Sequence, residues 1–187
     1  MNYYKELLIR CDSYISFDKF GLMFDETFGP IFKDASGSGK KGQHHFEKGG
    51  LARHTYEVMH LMLFSDATIG SKVKREHIVI AALFHDIGKI WDYVEFSPSV
   101  ENLKTIHNRK IHHISRSAIE WSKFAEKIGY KNDPDDDILH AILAHHGSRE
   151  YGSPVAPYTK LAWLLHLCDC ISARMDDCER IDLVSQK

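Results

Sequence analysis

The sequence predicts a single all-α domain, and three observations carry that prediction. Apolar residues recur at three- and four-residue intervals, no segment alternates Val, Ile and Thr as a strand would, and Gly and Pro fall between the periodic stretches. At 187 residues the chain is long enough for one sizeable core and short for two.

Residues 2–28 carry two apolar patterns, Tyr4, Leu7, Leu8 and Cys11, then Phe17, Phe20, Leu22 and Phe24, which predict one helix and a packed connection. From Lys33 to Gly50 the stretch KDASGSGKKGQHHFEKGG has little to anchor a regular element and is expected to be an exposed loop. A helix over about 51–66 follows, with Leu51, Thr55, Val58, Met62 and Ser65 near one face. The next, over about 74–87, is almost wholly apolar at IVIAALF and belongs at the buried centre, with Gly88 as its stop signal. A loop from Trp91 to Asn102 leads into a long helix over about 103–128, striped by Ile111, Ile114, Ala118, Trp121, Ala125 and Ile128 and ended by Gly129. Asn132 to Asp136 is a turn in which Asp133 or Asp135 caps a helix running through Ile138 and Ile142 to His146. Gly147 to Thr159, with Pro154 and Pro157, is a loop. Lys160 to about Met175 is the last long helix, and the final dozen residues fray.

Composition excludes several classes. With 43% hydrophobic and 27% charged residues the chain is neither disordered nor collagenous. The longest unbroken apolar run, Ile78 to Phe84, is too short to cross a bilayer, and the N-terminus lacks the apolar stretch of a signal peptide, so the expectation is a cytoplasmic protein without a membrane partner. A net charge of -2 gives no general attraction to polyanions, leaving a local grip such as Lys33, Lys40, Lys41 and Lys48 around the glycine-rich loop. The four cysteines lack the paired spacing of a structural zinc site and are expected to be buried thiols.

The unusual count is 13 His. His54, the pair His85-Asp86, His113, the pair His145-His146 and Asp169 spread seven metal-competent side chains over five expected helices, which is how helix bundles assemble interior metal sites. One His on an amphipathic helix is ordinarily a surface or hydrogen-bonded core residue. A His and a carboxylate directly after IVIAALF are different, because burying them is costly unless they are bonded to something.

Within ARHTYEV, LFHDIGK and LHLCDCI, the residues His54, His85-Asp86 and Asp169 resemble the signature of the HD-domain metal-dependent phosphohydrolases. HHFEKGGLARHTYEV, AALFHDIGKI and AILAHHGSREYGSPVAPYTKLAWLLHLCD are similar, more narrowly, to the catalytic domain of bacterial 3'-to-5' exoribonucleases of the YhaM type, over about residues 44–176. The resemblance implies an HD-domain helical bundle with five core helices carrying the ligands. It divides the chain into an N-terminal helix and loop over 1–50, a core over 51–178 and a tail over 179–187, all in one structural domain.

It further implies two divalent transition metals, manganese first, with iron, cobalt, nickel or zinc accepted by the same ligands. One would be held by His54, His85, Asp86 and Asp169, the other by Asp86, His113, His145 and His146. The family pattern favours His113 over His112, and about 100° of helical rotation between neighbours lets only one face the site. Lys89 looks like the family's phosphate-contacting lysine, and Arg116 and Arg149 are candidates for bidentate phosphate contacts, making Asp86, Lys89, Arg116 and Arg149 the expected catalytic set. His44, His45 and Tyr151 are expected to touch substrate, with Tyr151 or Trp91 stacking a base. The implied reaction is attack of a metal-activated hydroxide on a phosphodiester, in a 3'-to-5' exonuclease acting on short single-stranded RNA or DNA as a monomer or homodimer. A cyclic-nucleotide or nucleotide phosphohydrolase is the alternative enzyme, and a nucleotide-binding regulatory module the alternative that is not one. Relatives of this pattern carry an N-terminal nucleic-acid-binding module, for which the residues before His54 are too few.

Overall fold

The computed structural model describes residues 1–131 and 136–185, with side chains through 178. The elements are α1 (Tyr3–Tyr14), α2 (Phe20–Phe32), α3 (Gly50–Ile69), α4 (Arg75–Phe84), α5 (Lys89–Asp92), α6 (Ile106–Lys110), α7 (His113–Ile128), α8 (Asp137–Ala144), a 3₁₀ turn (Arg149–Tyr151) and α9 (Lys160–Ser185). Among the described residues there is no strand, only two isolated antiparallel bridges, Lys40 with Asn102 and Tyr93 with Lys104.

The apolar run places α4 at the centre, where Ile78 to Phe84 are all fully buried. Five helices pack around it, α1, α3, α7, α8 and α9. The second N-terminal pattern is a helix, α2, rather than a connection. Phe20, Phe24, Phe28 and Phe32 repeat every four residues and bury one face despite Gly21, Gly29 and Pro30, the breakers that hide it in the sequence. Phe24 and Phe28 meet Phe84 edge-on at 5.6 and 5.9 Å, which ties α2 to the core. Leu22, on the other face, is 51% exposed.

The glycine-rich stretch is a loop, but its middle is buried. Ser36, Ser38, His45 and Phe46 lie inside. Backbone bonds hold it in place, from Gly37 N–H to the His45 carbonyl at 2.8 Å and from Leu51 N–H to the Ala35 carbonyl at 3.0 Å. A Cβ on Gly50 would lie 2.7 Å from the carbonyl carbon of His45, so this close approach requires glycine.

The long helix expected over 103–128 is broken into α6 and α7. His112 takes a positive φ of 68°, and Asp92 accepts a 2.9 Å hydrogen bond from the backbone N–H of His113, the donor that a continuous helix would turn back on itself. Ile111, expected in the stripe, is 41% exposed for the same reason, whereas Ile114 to Ile128 pack as expected. Further differences are local. α4 ends at Phe84, and Gly88, with φ of -60°, admits the backbone of His113 instead of stopping a helix. Asp136 caps α8 through the N–H of Leu139, while Asp133 and Asp135 lie outside the described residues. α9 continues past Met175 to Ser185. Cys11 and Cys168 are buried, but Cys170 and Cys178 are exposed, because α9 turns them away from the core. Among the described residues no helix is long and apolar enough to cross a membrane.

Candidate metal centre

Asp86, in the turn after α4, is the pivot of the centre. Its Oδ2 lies 3.4 Å from Nε2 of His54 (α3) and 3.4 Å from Nε2 of His85, and Asp169 (α9) reaches His54 Nε2 with Oδ1 at 3.0 Å. Its Oδ1 lies 3.5 Å from Nε2 of His113 and 3.5 Å from Nε2 of His145, and His146 joins them with its Nε2 3.3 Å from that of His113. Two ligand-competent groups result, His54, His85, Asp86 and Asp169, and His113, His145 and His146, with one carboxylate between them. The structure thus turns His113 inward, while half-buried His112 groups with Asp92 beside it.

All five rings point Nε2 at this centre because Nδ1 is engaged elsewhere. His85 and His145 cap the C-termini of α4 and α8. Their Nδ1 atoms lie 2.7 Å from the carbonyls of Ala82 and Ile142, each three residues back, where a helix end leaves carbonyls free. His113 Nδ1 lies 3.2 Å from Asp92, and His146 Nδ1 lies 3.1 Å from the Tyr151 carbonyl. His54 Nδ1 lies 3.0 Å from the hydroxyl of Ser172, which donates onward to Glu57 at 2.7 Å. Engagement of Nδ1 by an acceptor fixes the tautomer whose Nε2 lone pair binds a metal.

The family model for the HD domain matches residues 51–174, a span that includes all seven of these residues. The chain belongs to the HD-domain family. It is similar to the 3'-5' exoribonuclease YhaM of Bacillus pumilus, 32% identical over 155 residues, which is 83% of this chain and 48% of that protein. The YhaM proteins of Bacillus subtilis and Listeria innocua are 32% and 30% identical over 137 and 138 residues, 42% and 43% of their lengths. The chain therefore spans about half the length of the curated relatives it matches. No solved structure matches it significantly.

The HD residues fit a cation on their own geometry. Asp86 Oδ1 and His145 Nε2 are buried, face each other and have no hydrogen-bond partner, a costly pair of orphans that a metal ion between them would satisfy. The electrostatics agree. Burial opposes a charge on Asp86, but Lys89, 2.5 Å away, and the surrounding rings hold its carboxyl well below the ordinary range. Burial also lowers His113 to about 4 and His146 to about 3, keeping both rings neutral and ligand-competent. His54 is the exception: burial is outweighed by the hydrogen bonds its ring donates to Asp169 and Asp86, which raise it to about 9, so a metal must displace a proton there.

The centre opens into a cleft of about 510 Å³ lined by Lys89, His44, His113, His146, Asp169 and Tyr151, among others. Lys89 and Tyr151 both line this cleft, Tyr151 with its side chain exposed at the rim. His45 does not reach the cleft. Its ring is fully buried on Glu57 at 3.0 Å and its N–H is held by Asp176 at 2.8 Å, so it braces the loop instead of touching substrate. Arg116 does not line the cleft either, because its guanidinium stacks 4.9 Å from the Trp91 ring and bonds His107 and Glu120. That contact also occupies Trp91. Arg149 is exposed on the 3₁₀ turn, outside the cleft lining. Sequence reasoning missed the outer residues Asp92, Ser172 and Glu57. A signal was available for two of them, since Glu57 and Ser172 each follow a ligand by three positions and so share its helix face.

Proposed function

We propose that this HD protein is a binuclear phosphodiesterase that shortens single-stranded nucleic acid from its 3' end. The observation that carries the reading is the division of labour at Asp86, whose two oxygens face two separate groups of imidazoles at the floor of one cleft. His54, His85, Asp169 and Asp86 Oδ2 would hold one ion, and Asp86 Oδ1, His113, His145 and His146 the other. When bound, divalent ions supply Lewis-acid polarisation of the phosphate oxygens and activation of water. Manganese is the ion proposed first on the family resemblance; the nitrogen-rich donor set itself equally suits iron, cobalt, nickel and zinc.

The chain's own part is orientation and charge. Lys89 sits at the junction of Asp86 and the cleft, where its ammonium would face a phosphate bound at the centre and offset charge added in the transition state. Asp86 fixes the relative position of the two ligand groups. The Nδ1 partners keep every ring from turning as substrate enters. The names of the relatives support RNA as one substrate, and short single strands suit an open cleft of this volume.

The test is product analysis with Mn²⁺-loaded protein on a 5'-labelled single-stranded RNA, its DNA counterpart, cyclic dinucleotides, nucleoside triphosphates and bis(p-nitrophenyl) phosphate, with Asp86→Ala as control. A ladder shortening from the 3' end, absent in the variant, is expected. Turnover confined to cyclic dinucleotides or mononucleotides would replace the exonuclease reading with that activity, and binding without turnover would make the protein a nucleotide-binding module.

A further inference from the structure

With Arg116 and Arg149 outside the cleft, phosphates of the substrate other than the scissile one need a different cation. Among the described residues three line it, Lys89, Lys104 and Arg174. Lys89, beside Asp86, is already assigned to the scissile phosphate, and Arg174 faces Asp177 at 3.7 Å. The ammonium of Lys104 has no carboxylate partner among the described residues.

Lys104 is also built into its place. Its backbone forms an antiparallel bridge with Tyr93. The neighbouring N–H of Leu103 donates to the Gly39 carbonyl at 2.9 Å, and the Val94 N–H donates to the Leu103 carbonyl at 2.9 Å, so three chain segments lock together at this wall. The stem of Lys104 lies across Gly39. A Cβ there would come within 2.8 Å of its Cγ, 3.0 Å of its Cε and 2.6 Å of the Tyr93 ring. An exposed lysine usually samples many rotamers; here the absent side chain at position 39 makes a track for its stem, while the charged end stays in water at the cleft.

We propose that Lys104 forms a second phosphate subsite, which takes the phosphate one nucleotide 5' of the scissile bond. This deepens the nuclease reading and rests on it. It gives the enzyme a preference for substrates with at least two phosphates, by an exposed and therefore salt-sensitive contact.

The test compares two dinucleotides that share the scissile bond, NpN with one phosphate and 5'-phosphorylated pNpN with two. The wild-type protein is expected to favour pNpN by roughly three- to tenfold in kcat/KM at low ionic strength, mostly through KM, and less at 0.5 M salt. Lys104→Gln should abolish that preference, lowering turnover of pNpN far more than that of NpN, and Lys104→Arg should keep most of it. Gly39→Ala, which removes the track, should reduce it. Equal losses on both dinucleotides, or no loss on either, would overturn the proposal. Both compounds are also measured as inhibitors of bis(p-nitrophenyl) phosphate hydrolysis. If neither is cleaved, the nuclease reading fails by itself, and the subsite still stands or falls on whether Lys104→Gln erases the tighter inhibition by pNpN.

Discussion

Gly88→Ala tests whether the two ligand groups are held in register by backbone contact. Gly88 has φ of -60° and ψ of -18°, which alanine adopts freely, so a conformational-entropy argument alone expects stabilisation by about 0.4–1 kcal/mol. Space gives the opposite sign. The new Cβ would lie 2.8 Å from Cα and 2.9 Å from the carbonyl carbon of His113, where carbon atoms normally rest at about 3.5–4.0 Å, so the backbones must part by roughly 0.7 Å or more. The segments have little freedom to part, since Gly88 N–H bonds Ser117 Oγ at 2.9 Å and His113 N–H bonds Asp92. Metal–ligand distances tolerate only about 0.2 Å, so displacement of His113 should weaken its group selectively, alongside a loss of about 1–3 kcal/mol from overpacking. Manganese per chain after equilibrium dialysis, with urea unfolding midpoints, is the assay. On the proposed binuclear reading, one ion per chain fewer than in the wild type, with a lowered midpoint, is expected. A variant that binds two ions and is as stable as the wild type would refute the reasoning.

Ser172→Ala removes the hydroxyl linking His54 to Glu57 and should lower metal affinity about 10–100-fold with little change in helix content, measured by competition with a chelating dye. For the metal-free protein the buried rings set opposite limits of pH. Burial lowers His44 and His146 to about 3 and His113 to about 4, so below pH 6.5 the unfolded chain takes protons these rings refuse and stability falls. His54, raised to about 9 by Asp169 and Asp86 against its burial, contributes stability that is complete below pH 6.5 and lost as pH rises through 9. Urea midpoints in chelator should therefore peak near pH 6–7, and a steady rise from pH 5 to 9 would contradict the assignment. Burial pushes Cys11 up to about 12 and Cys168 to about 11, so iodoacetamide on the folded protein should label Cys170 and Cys178 alone, as read by peptide mass spectrometry. Arg116→Ala should cost about 1 kcal/mol of stability through the lost Trp91 and Glu120 contacts while sparing kcat on bis(p-nitrophenyl) phosphate.

Much of the fold was legible because its signals are local. IVIAALF announces a buried helix, and the positive φ of Gly129 ends α7 where the sequence expects it. The centre was legible because helices deliver ligands at their ends and on one face, so adjacent pairs such as His85-Asp86 and His145-His146 are conspicuous. The misreadings arise where a tertiary partner overrides a local pattern. Nothing near Ile111 signals a break, because the group that makes it, Asp92, lies 21 residues before the N–H it captures. The glycine-rich loop looked exposed because glycine most often marks a solvent turn. Here Gly37, Gly39 and Gly50 are spaces that His45, Tyr93 and Lys104 fill.

The same distinction separates the two kinds of basic residue. Arg116 and Arg149 lie close to ligands in sequence, yet Arg116 is drawn onto Trp91, His107 and Glu120, and Arg149 stands on the exposed 3₁₀ turn beyond α8. Lys104 lies nine residues before its nearest ligand in the chain, and only the bridges to Gly39 and Tyr93 bring it to the cleft. First-contact metal ligands can be read from periodicity because the ion demands several at once. A single phosphate contact makes no such demand on the sequence, and its position follows from how loops pair. Substrate preference in this HD protein is therefore expected to vary with the loop segments 36–46 and 93–105 while the centre at Asp86 stays fixed. Exchange of those segments with the corresponding loops of a YhaM relative should change the ratio of pNpN to NpN turnover without changing metal stoichiometry. An altered stoichiometry would mean that the loops support the centre itself.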